Sequence, residues 1–157
     1  ERVLPTLVGV VLLVGVYALY NVFNPPPGRK TPKATIQTYL QGFENTNFTD
    51  ICESYIPSIG KPLGDYFSLS TSVQDSASVL MRNPQIAEAI SMIEALLPAG
   101  QRKSKLNILD YQETIINNQA NAEVKLGIND TFSGFYLLFQ FEKNEEDWLI
   151  TRVYAVE

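Results

Sequence analysis

The chain contains no histidine and only one cysteine in 157 residues. Without histidine it loses the commonest general base and the commonest metal ligand, so Ser-His-Asp and Cys-His catalysis and His-containing zinc sites are excluded. The single thiol, Cys52, cannot close an intrachain disulfide. Positive charge is also scarce: 12 Lys and Arg stand against 17 Asp and Glu, for a net charge of −5. From Thr31 onward the balance is 9 against 16, or −7. Nucleic acid needs a basic face to neutralise its phosphates, and docking on anionic lipid needs a polybasic patch. The sequence offers neither, so both partners are set aside.

What the sequence has in excess lies near its start. Val3 to Phe23 is a run of 21 residues without a charge. A helix of that length rises about 30 Å, the thickness of a bilayer's hydrocarbon core. Pro5 falls in the first turn, where its missing N–H costs least. Val3, Leu4, Leu7, Val11, Leu12 and Val16 would face lipid or neighbouring helices. Tyr17, Tyr20 and Phe23 cluster toward the far end, as an interfacial aromatic belt does. Asn24 and Pro25-Pro26-Pro27 then stop the helix. The expected division is a transmembrane or bundle helix over 1–24, a Pro-rich linker over 25–30, and one domain over 31–157. A cleaved signal peptide fits less well, because its apolar core is about 7–15 residues and Pro-Pro-Pro-Gly is no small-residue cleavage site.

Orientation signals conflict. Arg29, Lys30 and Lys33 follow the run and only Arg2 precedes it, which by the positive-inside tendency would place the domain in the cytoplasm. Two N-x-[ST] sequons, at Asn47 and Asn129, favour an extracytoplasmic, cell-surface domain, and that expectation is adopted. Asn47 also suits a helix N-cap.

Behind the linker, Thr31-Pro32 is a helix start, and Ile36, Tyr39, Leu40 and Phe43 recur on one helical face. Asn45-Thr46-Asn47 breaks that helix. A short second one follows, with Phe48, Ile51, Cys52 and Tyr55 on a common stripe, where Cys52 is expected to be a buried, inert thiol. Pro57 to Ser72 reads as loop. Val73, Ala77, Leu80 and Met81 suggest a third helix. Asn83-Pro84 opens a fourth, bearing Ile86, Ala89, Ile90, Ile93, Leu96 and Leu97 and ended by Pro98 and Gly100. The period then changes from 3.6 to 2. A strand runs from Leu106 toward Ile116. Ala122, Val124, Leu126 and Ile128 oppose Asn121, Glu123 and Lys125 on a second. Phe135 to Phe141 reads as a central strand, Lys143 to Asp147 as a charged turn. In the last strand Trp148, Ile150, Arg152 and Tyr154 alternate with Leu149, Thr151, Val153 and Ala155. Helices followed by hairpin-linked strands make an α+β domain.

Two segments carry a family resemblance. PKATIQTYLQGFENTNFTDICESYI resembles the opening helices of the nuclear-transport-factor-two-like superfamily, and AEVKLGIND with FYLLFQFEKNEEDWLITRVY resembles its closing strands. The resemblance implies a cone fold of helices packed on a curved antiparallel sheet. That superfamily includes isomerases, dehydratases, small-ligand carriers and non-enzymatic assembly domains, so fold alone does not choose an activity. A membrane helix joined to such a domain also resembles the inner-membrane assembly proteins of type IV secretion systems. The apolar start is similar to that of a processed type IV pilin. Pro5 stands where bacterial pilins carry Glu, so the archaeal type is the one implied.

No catalytic set stands out. The dehydratase pattern of the superfamily needs a histidine. Its isomerase pattern needs a buried Asp with a Tyr or protonated acid, and the adjacent Asp110 and Tyr111 would point to opposite faces of a strand. Gly60-Lys61-Pro62-Leu63-Gly64 lacks phosphate-loop spacing, and Glu145-Glu146-Asp147 lacks the spaced ligands of a calcium loop. Phe135, Tyr136, Phe139 and Phe141 line a lipid-sized pocket, fill a core, or form a sheet face covered by a partner. The sequence therefore points to a non-enzymatic structural or assembly subunit with no cofactor and no metal. Its N-terminal helix would meet membrane lipid or identical subunits, and its domain other protein subunits. A filament subunit and a membrane-tethered carrier of a small apolar ligand are the alternatives.

Overall fold

A computed structural model of the chain describes residues 28–68, 81–101, 105–129 and 134–156. The predicted helix over 1–24, the prolines 25–27 and nearly all of the predicted helix at Val73–Met81 lie outside the described residues. In chain order the elements are α1 (Pro32–Glu44), α2 (Phe48–Glu53), α3 (Pro57–Phe67), α4 (Pro84–Gln101), β1 (Leu106–Ile116), β2 (Gln119–Ile128), β3 (Phe135–Asn144) and β4 (Asp147–Val156). The four strands form one antiparallel sheet in the order β1-β2-β3-β4. The expected α+β arrangement of helices followed by an antiparallel sheet is what the described residues form.

Local chemistry sets most boundaries. The Thr31 hydroxyl accepts from the Ala34 N–H at 3.1 Å and Pro32 takes the first helical position, so α1 starts where its cap dictates. The Asn47 carboxamide accepts from Asp50 N–H at 3.3 Å and opens α2. Asn83 does the same for α4 through Gln85 N–H at 3.0 Å. Thr46, Asn117, Asn129 and Glu145 carry positive φ, each in a break or turn between elements.

One face of the sheet packs on the helices. α1 contributes Ile36, Tyr39, Leu40 and Phe43, α4 contributes Ile86, Ile90 and Ile93, and all are buried. Opposite them stand Ala122, Val124 and Leu126 of β2 and Leu137, Phe139 and Phe141 of β3, also buried. Each large apolar side chain removed from water contributes about 1.5–3 kcal/mol, and this layer is the source of the domain's stability.

Three expectations are corrected. Pro57 to Ser72 is not loop throughout: residues Pro57–Phe67 form α3, although Gly60, Pro62 and Gly64 interrupt its sequence. Ile59 and Leu63, four residues apart on one face, are 2% and 0% exposed, and their burial outweighs poor helix propensity. Pro98 and Gly100 do not end α4, which continues to Gln101. Near a helix end a proline removes one hydrogen bond rather than breaking a long ladder. In β4 the alternation changes phase. Phe141 pairs with Ile150, but Gln140 pairs with Arg152, so Thr151 is an extra residue. Beyond this bulge Val153, not Arg152, faces the core.

Candidate functional site

The most specific arrangement surrounds the first described residues, Gly28 to Lys30. They are stitched to three elements before α1 begins. The Thr38 hydroxyl donates to the Gly28 carbonyl at 2.8 Å. Trp148 N–H, on the outer edge of β4, donates to the Arg29 carbonyl at 2.7 Å. The Arg29 guanidinium donates to the Asp50 carbonyl of α2 at 3.3 Å. Lys30 Nζ reaches Glu146 at 2.9 Å and Asp147 at 3.3 Å in the β3–β4 turn. Thr35 of α1 closes the set by donating to the Trp148 carbonyl at 2.6 Å. Of the predicted linker 25–30, half is thus part of the folded domain.

This clamp also engages Glu145-Glu146-Asp147. Lys30 pairs with two of the three acids, and its hydrogen bond holds the Glu146 carboxyl below the usual range while the acids hold the Lys30 amine above its own. Among the described residues no group of three or more acidic or cysteine side chains could hold a metal ion.

The space between helices and sheet is filled by aromatic rings. Tyr39 stacks edge-on against Phe43, Tyr55 and Phe139, with centroids 5.0, 5.6 and 6.0 Å away. The Tyr39 and Tyr55 hydroxyls meet at 2.8 Å, and both side chains are essentially inaccessible. Burial pushes both phenols well above their ordinary value, so they are hydrogen-bonding groups and not acids at physiological pH. Of the sequence-nominated aromatic strand, Phe139 and Phe141 lie in this core, whereas Phe135 and Tyr136 are exposed at its rim. A groove of about 600 Å³ runs outside it between α2 and α3, lined by Phe48, Cys52, Gly60, Gly64 and Phe67. Cys52 is 7% exposed, and burial raises its thiol to about 11.

Asp110 and Tyr111 are placed apart. The strand register sets Tyr111 opposite Val124 on the helix-facing side and Asp110 opposite Lys125 on the other. The Tyr111 hydroxyl donates to Glu113, and its ring lies 5.4 Å from Lys33 Nζ. Asp110 instead accepts from the Tyr111 backbone N–H at 2.9 Å.

Of the other nominated residues, Val3, Leu4, Leu7, Val11, Leu12, Val16, Tyr17, Tyr20 and Phe23 lie outside the described residues. Among those described, no helix is long and apolar enough to cross a membrane. Asn47 is exposed, and its Oδ1 and Nδ2 both engage Asp50 in the α2 cap. Asn129 sits in a left-handed turn with its Oδ1 accepting from Lys105 N–H at 2.9 Å.

One surface was missed by the sequence reading. Ile115 and Ile116, at the end of the edge strand β1, are 47% and 67% exposed. Two consecutive isoleucines breaking an otherwise polar strand end were the available signal.

No family model matches the chain, and no curated protein matches it.

Proposed function

We propose that the protein is a non-enzymatic assembly subunit, held by its apolar N-terminal segment and presenting the α+β domain to other protein subunits at the cell surface. The clamp on Gly28–Lys30 carries this reading. A domain on a loose tether has no need to fix the last linker residues with main-chain, side-chain and ionic contacts to α1, α2 and β4. A domain whose orientation relative to its anchor matters does. With Gly28 to Lys30 held, only Pro25-Pro26-Pro27 of the expected linker separate the apolar segment from the described domain in sequence. Force or orientation then passes from the apolar segment into the sheet through Trp148.

Flotation of the full chain with membranes, resistance to alkaline carbonate, and cross-linked species larger than a monomer are the expected results. A chain that stays in the aqueous fraction as a monomer refutes the reading. Electron microscopy of native surface material separates the filament version, because helical polymers with the apolar segments at the axis replace membrane-dispersed particles.

A further inference from the structure

The two edges of the sheet are guarded unevenly. Along β4, Trp148 and Ile150 donate their N–H groups to Arg29 and Ser54, and the Ile150 carbonyl accepts from Ile56. Farther along, Arg152 is held by Glu88 of α4 at 2.8 Å. The first half of β1 is blocked as well. The Glu44 carboxylate takes Leu106 N–H at 2.7 Å, a bulge interrupts the strand at Leu109, and the Asp110 carboxylate takes Tyr111 N–H. Blocking of these kinds is how sheet proteins keep edges from pairing.

From Gln112 to Ile116 the blocking stops. The turn Asn117-Asn118 makes Ile116 and Gln119 the closing pair of a two-residue hairpin. Alternation then gives Gln112, Thr114 and Ile116 their hydrogen bonds to β2 and turns the N–H and C=O groups of Glu113 and Ile115 outward. Those outward groups have no partner among the described residues. The same stretch bears the exposed pair Ile115 and Ile116. Consecutive strand residues point to opposite faces, so a body docking on one face of the sheet covers one isoleucine only. A strand laid along the edge packs beside both.

We infer that Gln112–Ile116 is a strand-addition site for a basic extended segment of another subunit. Its main chain pairs with Glu113 and Ile115, a cation faces the Glu113 carboxylate, and apolar side chains flank Ile115 and Ile116. Charge selects this occupant over a second copy. Lys33 lies beside Tyr111 and Lys125 stands opposite Asp110, but Gln112–Ile116 itself carries Glu113 and no cation, and the chain from Thr31 onward is at −7, so two copies pairing along this stretch bring like charges together. The site gives the assembly reading a defined contact and rests on that reading only for the existence of a partner subunit.

The test uses the full chain in nanodiscs of zwitterionic lipid, a capped peptide of alternating lysine and valine as probe, and amide hydrogen exchange as readout. With the probe at about ten times its Kd, exchange at Glu113 and Ile115 slows about tenfold, and salt reverses the effect. Ile115→Pro deletes an outward N–H without removing a bond to β2, so the sheet stays intact while the protection at the Glu113 amide is lost. Unchanged exchange at both amides with the peptide in excess overturns the proposal. Equal protection by a peptide of alternating glutamate and valine also overturns it, as does protection that rises with protein concentration alone. If the chain does not enter nanodiscs, that result counts against the anchored reading, and the same exchange measurement in detergent still decides the edge.

Discussion

The backbone N–H of Trp148 donates to the carbonyl of Arg29 at 2.7 Å, joining the last residues of the linker to the outer edge of β4. Trp148 is the chain's only tryptophan, and its carbonyl is held in turn by the Thr35 hydroxyl. One residue of β4 thus receives both the incoming chain and the first helix.

Thr35→Val tests that junction. Thr35 is fully buried, and valine keeps its shape while removing the hydroxyl. The Trp148 carbonyl is then left without this donor in a buried site, which costs about 1–3 kcal/mol. The expected result is a lower denaturant midpoint at unchanged m-value, with faster exchange at the Trp148 amide. An unchanged midpoint means the junction does not stabilise the domain.

The tyrosine pair makes a different prediction. Tyr39→Phe or Tyr55→Phe alone leaves the other buried hydroxyl unpartnered and destabilises by about 1–3 kcal/mol. Replacing both removes the two polar groups together, so the double variant is more stable than the sum of the singles implies. A double-mutant cycle in urea reads the coupling. Strict additivity would show that the hydroxyls do not interact.

Gly60 and Gly64 should behave oppositely although both lie in α3. A Cβ at residue 60 overlaps the Cys52 carbonyl of α2, whereas one at residue 64 meets nothing within 4 Å. Gly60→Ala is expected to destabilise by about 1–3 kcal/mol. Gly64→Ala is expected to stabilise by up to about 1 kcal/mol through helix propensity. Thermal melts of the two variants compare them directly.

The Lys30–Glu146 pair sets a pH window. The Glu146 pKa is lowered by its bond to Lys30, so its contribution is present above the ordinary carboxylate value, about 4.3, and fades as pH falls through the depressed folded value. The Lys30 pKa is raised, so its contribution is present below the ordinary amine value, about 10.4, and fades as pH rises through the folded value. Both groups are fully exposed, and water and salt screen them. Carboxyl NMR titration should place Glu146 below an ordinary glutamate, and Lys30→Met should return it to the usual range. A normal Glu146 midpoint in the unmodified chain rejects the pairing.

Much of the domain was legible in its residues because short-range chemistry decided it. Thr31-Pro32, Asn47 and Asn83-Pro84 carry their own capping groups, and period-2 patterning exposed β2 without ambiguity. α3 was not legible, because the burial of Ile59 and Leu63 that sustains it depends on elements distant in the chain. The phase change at Thr151 was hidden as well, since a bulge is set by the partner strand and not by local composition. The candidate site was seen only in part. The linker's residues were evident, but not that Gly28–Lys30 would be gripped by Thr38, Asp50 and Trp148.

By itself the sequence determined that histidine chemistry and an intrachain disulfide are ruled out in these 157 residues, where helices give way to strands, and that an uncharged run long enough to span a bilayer precedes the domain. These follow from residue types and their spacing, which act locally. Only the tertiary structure decided that Asp110 and Tyr111 part company, that Lys30 pairs with the acidic turn, and that among the described residues nothing pairs with the β1 edge from Gln112 to Ile116. Each depends on residues tens of positions apart meeting at fixed register, and such meetings are settled by packing and strand pairing.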